Sequence, residues 1–218
     1  FSIEMERVPY VLATPTSSTQ ARFDTSKYPI DLNKYPWLKN AQSYTQYDSV
    51  NHQYESQEAY YQSTLTITYN GNMLTVNGGN WATDQDIIIR HQIYNYNAFY
   101  IRWVNGISWD RVTITSMAGM GIYTYFSTNI KVNGVSISPP SGYPMSLTAD
   151  GMHFSNTLDY GSVTVVNCHI EGQGDDGINI DTDIAQITSI SPDRYQVNVN
   201  GHGGSVPFRQ GDHVNIIT

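Results

Sequence analysis

Four short segments of this chain resemble one another at unequal intervals, and that irregular repeat restricts the fold more than any other feature. Ala98-Phe99-Tyr100-Ile101, Gly121-Ile122-Tyr123-Thr124, Gly151-Met152-His153-Phe154 and Gly177-Ile178-Asn179-Ile180 begin 23, 30 and 26 residues apart. A second strand-like segment follows within each unit: Val112-Thr113-Ile114, Val135-Ser136-Ile137 and Cys168-His169-Ile170. No helix start or stop signal lies between Asp86 and Asp183. Several short strands per period, without helices, predict a parallel β-helix whose coils stack about 4.8 Å apart. An antiparallel sandwich is the alternative, and it needs hairpin turns between most strands. The Asn-Gly pairs at Asn105-Gly106 and Asn133-Gly134 are read as recurring at the same place in their repeats, which favours coils.

The repeat divides the chain into three. Residues 1–85 read as an irregular, partly β segment that packs on the helix, with strands near Val8–Leu12 and Ser63–Tyr69 and a helical turn or two over Glu55–Gln62. Residues 86–183 read as the coils. Residues 184–218 read as the start of a small antiparallel β module, with a strand, the turn Ser191-Pro192-Asp193-Arg194, a second strand and another near Val214. The chain begins at Phe1 without a leader and ends within the strand-like run Val214–Thr218, so a piece of a longer protein is expected.

Composition narrows the partners. Only 14% of residues are charged and 17 are Tyr, as suits β-structure with uncharged polar faces. A net charge of −8 argues against nucleic acid and polyanionic substrates. The single cysteine, Cys168, excludes an internal disulfide and a cysteine-rich zinc site, and it reads as a small buried hydrophobe. No apolar run is long enough for a membrane span.

Strand alternation assigns the faces. Phe99, Ile122, Met152 and Ile178, then Ile101, Thr124, Phe154 and Ile180, form interior ladders. The other face carries Tyr100, Tyr123, His153 and Asn179, then Arg102, Tyr125, Ser155 and Asp181. Aromatic and hydrogen-bonding groups in one strip suit the apolar faces and hydroxyls of a sugar. Just before each repeat stand Asn97, Met120, Asp150 and Asp176, with Asp175 beside the last. Asp150 and Asp176 are therefore expected one coil apart. Carboxylates within about 4–6 Å of each other raise at least one pKa, so the cluster offers a protonated acid and an ionised base together. A calcium site or a set of turn-capping aspartates is the competing explanation.

Gly119-Met120-Gly121, Thr148-Ala149-Asp150-Gly151-Met152-His153-Phe154 and Gly174-Asp175-Asp176-Gly177-Ile178-Asn179-Ile180 resemble the family-110 glycoside hydrolases. These are exo-acting α-galactosidases on a right-handed parallel β-helix with inserted β modules, and the resemblance covers about residues 86–218. More distantly, the Asp…Asp-Asp arrangement is similar to that of the family-28 polygalacturonases. That likeness implies Asp175 as general acid and Asp150 with Asp176 as activators of water. Gly201-His202-Gly203 is similar to a polygalacturonase motif, but it falls in the β module, out of coil register with the acids. No Arg-x-Lys triplet occurs, and Lys131 is the only lysine after Lys39, so a carboxylate-binding arm is missing.

The expectation is an inverting exo-glycosidase, secreted or periplasmic, that releases a terminal neutral sugar, α-linked galactose, from an oligosaccharide or polysaccharide. The catalytic residues would be Asp150, Asp175 and Asp176, and the sugar-binding residues Tyr123, His153, Tyr125, Asn179 and Tyr100. No cofactor or metal is implied. Inversion calls for acid and base carboxyls about 6.5–9.5 Å apart; Asp175, pointing the other way along the pleat, is expected to lie across such a gap. The alternatives are a polygalacturonase- or lyase-like enzyme on the same fold and a non-catalytic carbohydrate-binding β-helix.

Overall fold

The computed structural model describes residues 2–4, 10–24, 39–56, 65–157, 161–191, 194–200 and 211, and of 2–4, 55–56, 184–191 and 194–200 it describes the backbone alone. The expected helical turn over Glu55–Gln62 is strand at residues 55–56 and beyond them lies outside these residues, as do the strand near Val214 and the Gly201-His202-Gly203 loop. Among the described residues there is no α-helix. β1 (Ser2–Glu4) is followed by seven strands of one antiparallel sheet: β2 (Tyr10–Ser17), β3 (Gln20–Asp24), β4 (Ser43–Asp48), β5 (Gln53–Ser56), β6 (Thr66–Asn70), β7 (Met73–Asn77) and β8 (Asp86–Arg90). Their spatial order is β5-β4-β8-β2-β3-β7-β6. The change of pattern at Asp86 thus marks a central strand of this sheet, and the coils begin at Phe99.

The coils then climb in register. The first contains β9 (Phe99–Arg102), β10 (Asn105–Asp110) and β11 (Thr113–Ser116). The second contains β12 (Ile122–Tyr125), β13 (Thr128–Asn133) and β14 (Ser136–Ile137). The third contains β15 (Met152–Ser155), β16 (Val163–Val166) and β17 (His169–Ile170), and β18 (Ile178–Asp181) opens a fourth. Equivalent strands form three parallel sheets, β9-β12-β15-β18, β10-β13-β16 and β11-β14-β17, with β1 on the outer side of β11. This is the parallel β-helix that the repeat predicts. Phe99, Ile122, Met152 and Ile178 are direct partners, as are Tyr100, Tyr123, His153 and Asn179. Thr113, Ser136 and His169 pair in the same way. The hairpin of β19 (Ile184–Ser191) and β20 (Arg194–Asn200) follows the coils.

Left-handed residues recur at two of the three corners among the described residues. Trp103, Phe126 and Asn156 occupy the first corner with φ of 58°, 47° and 53°. Arg111, Gly134 and Asn167 occupy the second with φ of 51°, 64° and 55°. The left-handed region is costly for bulky residues. At the first corner Trp103 and Phe126 stack with centroids 4.2 Å apart and planes 3° from parallel, a contact that offsets part of that cost. The two Asn-Gly pairs do not recur at one place: Asn105 pairs with Thr128 at the start of its sheet, and Asn133 pairs with Asp110 at the end. The third corner varies in length, and there the second coil takes up its extra residues, between Ile137 and Met152. That irregular corner carries the acidic residues.

All three parallel sheets contribute to one apolar core that includes Ile114, Ile122, Ile130, Val132, Ile137, Met152 and Phe154. Cys168 is partly buried against it. Ile178 and Ile180, expected inside, are 45% and 68% exposed. Their side chains follow the interior register, but among the described residues no strand pairs with the far side of β18, so nothing covers them. The antiparallel sheet has its own core around Val11, Phe23, Leu74, Val76, Trp81 and Ile89. It meets the coils through Tyr10, Tyr47, Ile88 and Met145. Tyr10 Oη donates to the Met145 carbonyl at 2.9 Å, and Tyr54 Oη to the Pro144 carbonyl at 2.8 Å.

Burial ranks the ladders energetically. Phe154 is fully enclosed, so Phe154→Ala is expected to cost about 3–5 kcal/mol through lost burial and the cavity left behind. Ile180→Ala, on the uncovered rung, is expected to fall within about 0.5 kcal/mol. Urea denaturation of the two variants beside the parent checks the contrast.

Candidate active site

The third corner brings the three acidic side chains together. Gly121 N donates to the Asp150 carbonyl at 3.0 Å, and Gly151 N to the Asp176 carbonyl at 2.8 Å, so Asp150 and Asp176 stand on adjacent rungs. Ala98 N donates to the Met120 carbonyl in the same way at 3.0 Å. Close stacking explains the glycines at the start of two of these rungs: a Cβ at Gly121 or Gly151 would come 2.5 Å from the next rung's carbonyl oxygen. Asp150, Asp175 and Asp176 each present one carboxylate oxygen within 4.8 Å of the others.

The three differ in environment. Asp150 is buried, Asp175 half-buried and Asp176 exposed. Of the three, Asp175 and Asp176 therefore reach the surface. Asp150 Oδ2 accepts from His153 Nδ1 at 2.6 Å. The other ring nitrogen, Nε2, lies 3.2 Å from Asp181 Oδ2. Asp175 Oδ2 accepts from the Tyr94 hydroxyl at 2.6 Å, and Asp176 Oδ2 accepts from Asn179 Nδ2 at 3.1 Å.

These contacts set the protonation states. Burial pushes the Asp150 carboxyl above its ordinary range, and the neighbouring Asp175 charge adds to the rise, while the bond from His153 opposes it. For His153, burial disfavours the imidazolium, but the bond and charge of Asp150 and then the charge of Asp181 outweigh it, so its pKa is raised. Burial pushes Tyr123 up to about 12, with Tyr100, Tyr125, Asp181 and Asp183 adding to it, so it remains a neutral phenol. Asp150 and His153 hold a proton readily beside two further carboxyl groups, an arrangement suited to paired acid and base work. Oxygens this close would also accommodate a calcium ion bound at about 2.3–2.6 Å.

The aromatic strip is only partly as expected. Tyr100 and Tyr123 stack at 5.0 Å with planes 13° apart, and Tyr100 is half exposed. Tyr123 meets the His153 ring edge-on at 5.1 Å. Tyr125 is buried, and its hydroxyl donates to Asp183 Oδ2 at 3.1 Å, so its ring is not an open face for a sugar. The short spacing of the acids also replaces the wide gap expected between Asp175 and its partners.

Sequence reasoning left Asp181, Tyr94 and Arg90 out of the site. Asp181 sits two residues beyond Asn179 on the same strand face, and that alternation was the available signal. Tyr94 and Arg90 precede the first coil and belong to no repeat, so no periodic signal marked them. Arg90 is fully buried, and its Nη1 donates to the carbonyls of Thr148 at 3.2 Å and Gly174 at 2.9 Å.

Fold and site together define a parallel β-helix with a carboxylate cluster at one corner of adjacent rungs. No family model matches the chain. It is similar to an alpha-1,3-galactosidase A of Bacteroides fragilis (strain YCH46), 31% identical over 64% of this chain and 23% of the relative. It is also similar to an alpha-1,3-galactosidase A of Shewanella woodyi, 27% identical over 48% of this chain and 17% of the relative. An alpha-1,3-galactosidase B of Bacteroides thetaiotaomicron is 29% identical over 50% of this chain and 18% of the relative. The resemblance drawn from the aspartate motifs is thus found again among curated proteins, and the match spans less than a quarter of their length. Among the described residues no helix is long and apolar enough to cross a membrane.

The raised pKa of His153 carries a stability consequence. An imidazole whose pKa rises on folding stabilises the folded state fully below its unfolded value of about 6.5, and that contribution is lost as pH rises through the folded value. Asp150, also raised, has the same sign from a lower starting point. Unfolding free energy is therefore expected to fall as pH increases from about 6.5, and His153→Gln is expected to flatten that decline. Urea titrations at a series of pH values measure both slopes.

Proposed function

We propose that the protein is a glycoside hydrolase that releases terminal α-linked galactose from an oligosaccharide or polysaccharide outside the cytoplasm. The observation that carries this reading is the convergence of the Asp150, Asp175 and Asp176 oxygens within 4.8 Å. The similarity to proteins named alpha-1,3-galactosidase supports the sugar and the linkage.

Asp175 serves as the acid. It is half-buried, nearer the surface than Asp150, and it adjoins the Asp150 carboxyl, whose pKa is raised. Asp176 is exposed and draws a proton from water, with Asp150 completing the water's acceptors. Water adds to the anomeric carbon, the bond to the leaving oxygen breaks, the Asp175 proton passes to that oxygen and the proton from water passes to Asp176. The bond from His153 favours the ionised form of Asp150, which is the form that accepts from the water. The half-exposed Tyr100 ring, stacked on Tyr123, offers an apolar face to the sugar or its neighbour.

Single displacement inverts the anomeric centre. The acids are closer than the separation of about 6.5–9.5 Å usual for inversion, so stereochemistry is the sharpest test. Proton NMR of an aryl α-galactoside digest is expected to reveal β-galactose first, and initial α-galactose would overturn inversion. Asp150→Asn, Asp175→Asn and Asp176→Asn are each expected to slow galactose release about 10²–10⁴-fold. Asp175→Asn alone is expected to recover on substrates whose leaving group needs no protonation. Full activity in all three variants would move the chemistry away from these carboxyls, and a parent that binds galactosides without cleaving them would leave a carbohydrate-binding protein as the reading.

A further inference from the structure

We propose that Arg90 is a positioning residue that sets the spacing of the two turns bearing the acids, which makes the antiparallel sheet a working part of the site. The kinetic consequence rests on the hydrolase reading above; the structural one does not. Arg90 ends β8 and is fully buried. Its Nη1 donates to the carbonyls of Thr148 and Gly174 at 3.2 and 2.9 Å, and its Nη2 donates to Ser43 Oγ, on β4, at 2.9 Å. Thr148 lies two residues before Asp150, and Gly174 directly precedes Asp175. These carbonyls belong to successive rungs, so one nitrogen spans the step across which the carboxyls face each other.

The approach is tight. A Cβ on Gly174 would stand 2.6 Å from the Thr148 carbonyl oxygen and 2.7 Å from Arg90 Nη1. The following residues hold the same turns from another direction. Thr148 Oγ1 donates to the Ile93 carbonyl at 2.9 Å, and Tyr94 Oη donates to Asp175 at 2.6 Å. Burying a guanidinium carries a desolvation cost, and apolar residues would join a sheet to a coil with less. What the planar fork adds is fixed geometry between two backbone acceptors and a hydroxyl, which an ammonium on a flexible stem does not reproduce.

The test uses the full-length protein with Arg90→Lys and, as a variant that leaves the core intact, Ser43→Ala. Folding is checked by far-UV circular dichroism. The first readout is NMR titration of the His153 ring, which faces Asp150, Asp181 and the Tyr123 ring, with Asp175 and Asp176 beyond Asp150. The second is kcat, KM and the pH–rate profile on an aryl α-galactoside. Arg90→Lys is expected to move the His153 midpoint, displace the pH–rate profile and lower kcat about 10- to 100-fold with little change in KM. Ser43→Ala is expected to move all three in the same direction by less. A His153 titration identical to the parent in every folded variant, with activity falling only as the folded fraction falls, overturns the proposal. Should Arg90→Lys not fold, Ser43→Ala decides alone. A parent protein inactive on all galactosides would overturn the hydrolase reading, while the titration still decides the role of Arg90.

Discussion

Rung-to-rung hydrogen bonding in strict register is the constraint on which the rest of this molecule depends. In a parallel stack each strand repeats the face assignment of the one below, so position along the chain becomes position in a ladder. Phe99, Ile122 and Met152 meet inside because their backbones pair directly, and Tyr100, Tyr123 and His153 meet outside for the same reason. A slip of one residue would exchange the two sets. The third corner lies beyond the strands and escapes this uniformity, which lets it vary in length and carry chemistry.

Bringing three carboxyls to one corner carries a cost that the surroundings offset unequally. Asp150 lies deep, with His153 as its counter-charge, and Asp181 holds the far side of the imidazole. Asp175 and Asp176 lean on a phenol and an amide and stay nearer solvent. The gradient from buried to exposed sets chemically identical side chains in unlike surroundings, and burial raises the pKa of Asp150.

The antiparallel sheet and the coils are joined by more than apolar contact. Tyrosine hydroxyls from β2 and β5 reach carbonyls at Met145 and Pro144, and Arg90 reaches the carbonyls just ahead of the acids. The sheet is therefore bonded directly to the corner where the carboxyls converge.

By itself the sequence determined the coil fold, the rung partners and the presence of Asp150, Asp175 and Asp176 at one corner, because these follow from a local period that each repeat restates. It also placed Tyr123, His153 and Asn179 on one face, since alternation is a property of neighbouring residues. Tertiary structure alone decided that Asp150 is buried, that Tyr125 is turned onto Asp183, that Ile178 and Ile180 lie uncovered and that the acids stand closer than an open gap. It alone brought Arg90 and Tyr94 to the site. Burial and distance depend on what packs against a residue from elsewhere in the chain, and a repeat carries no record of partners outside it.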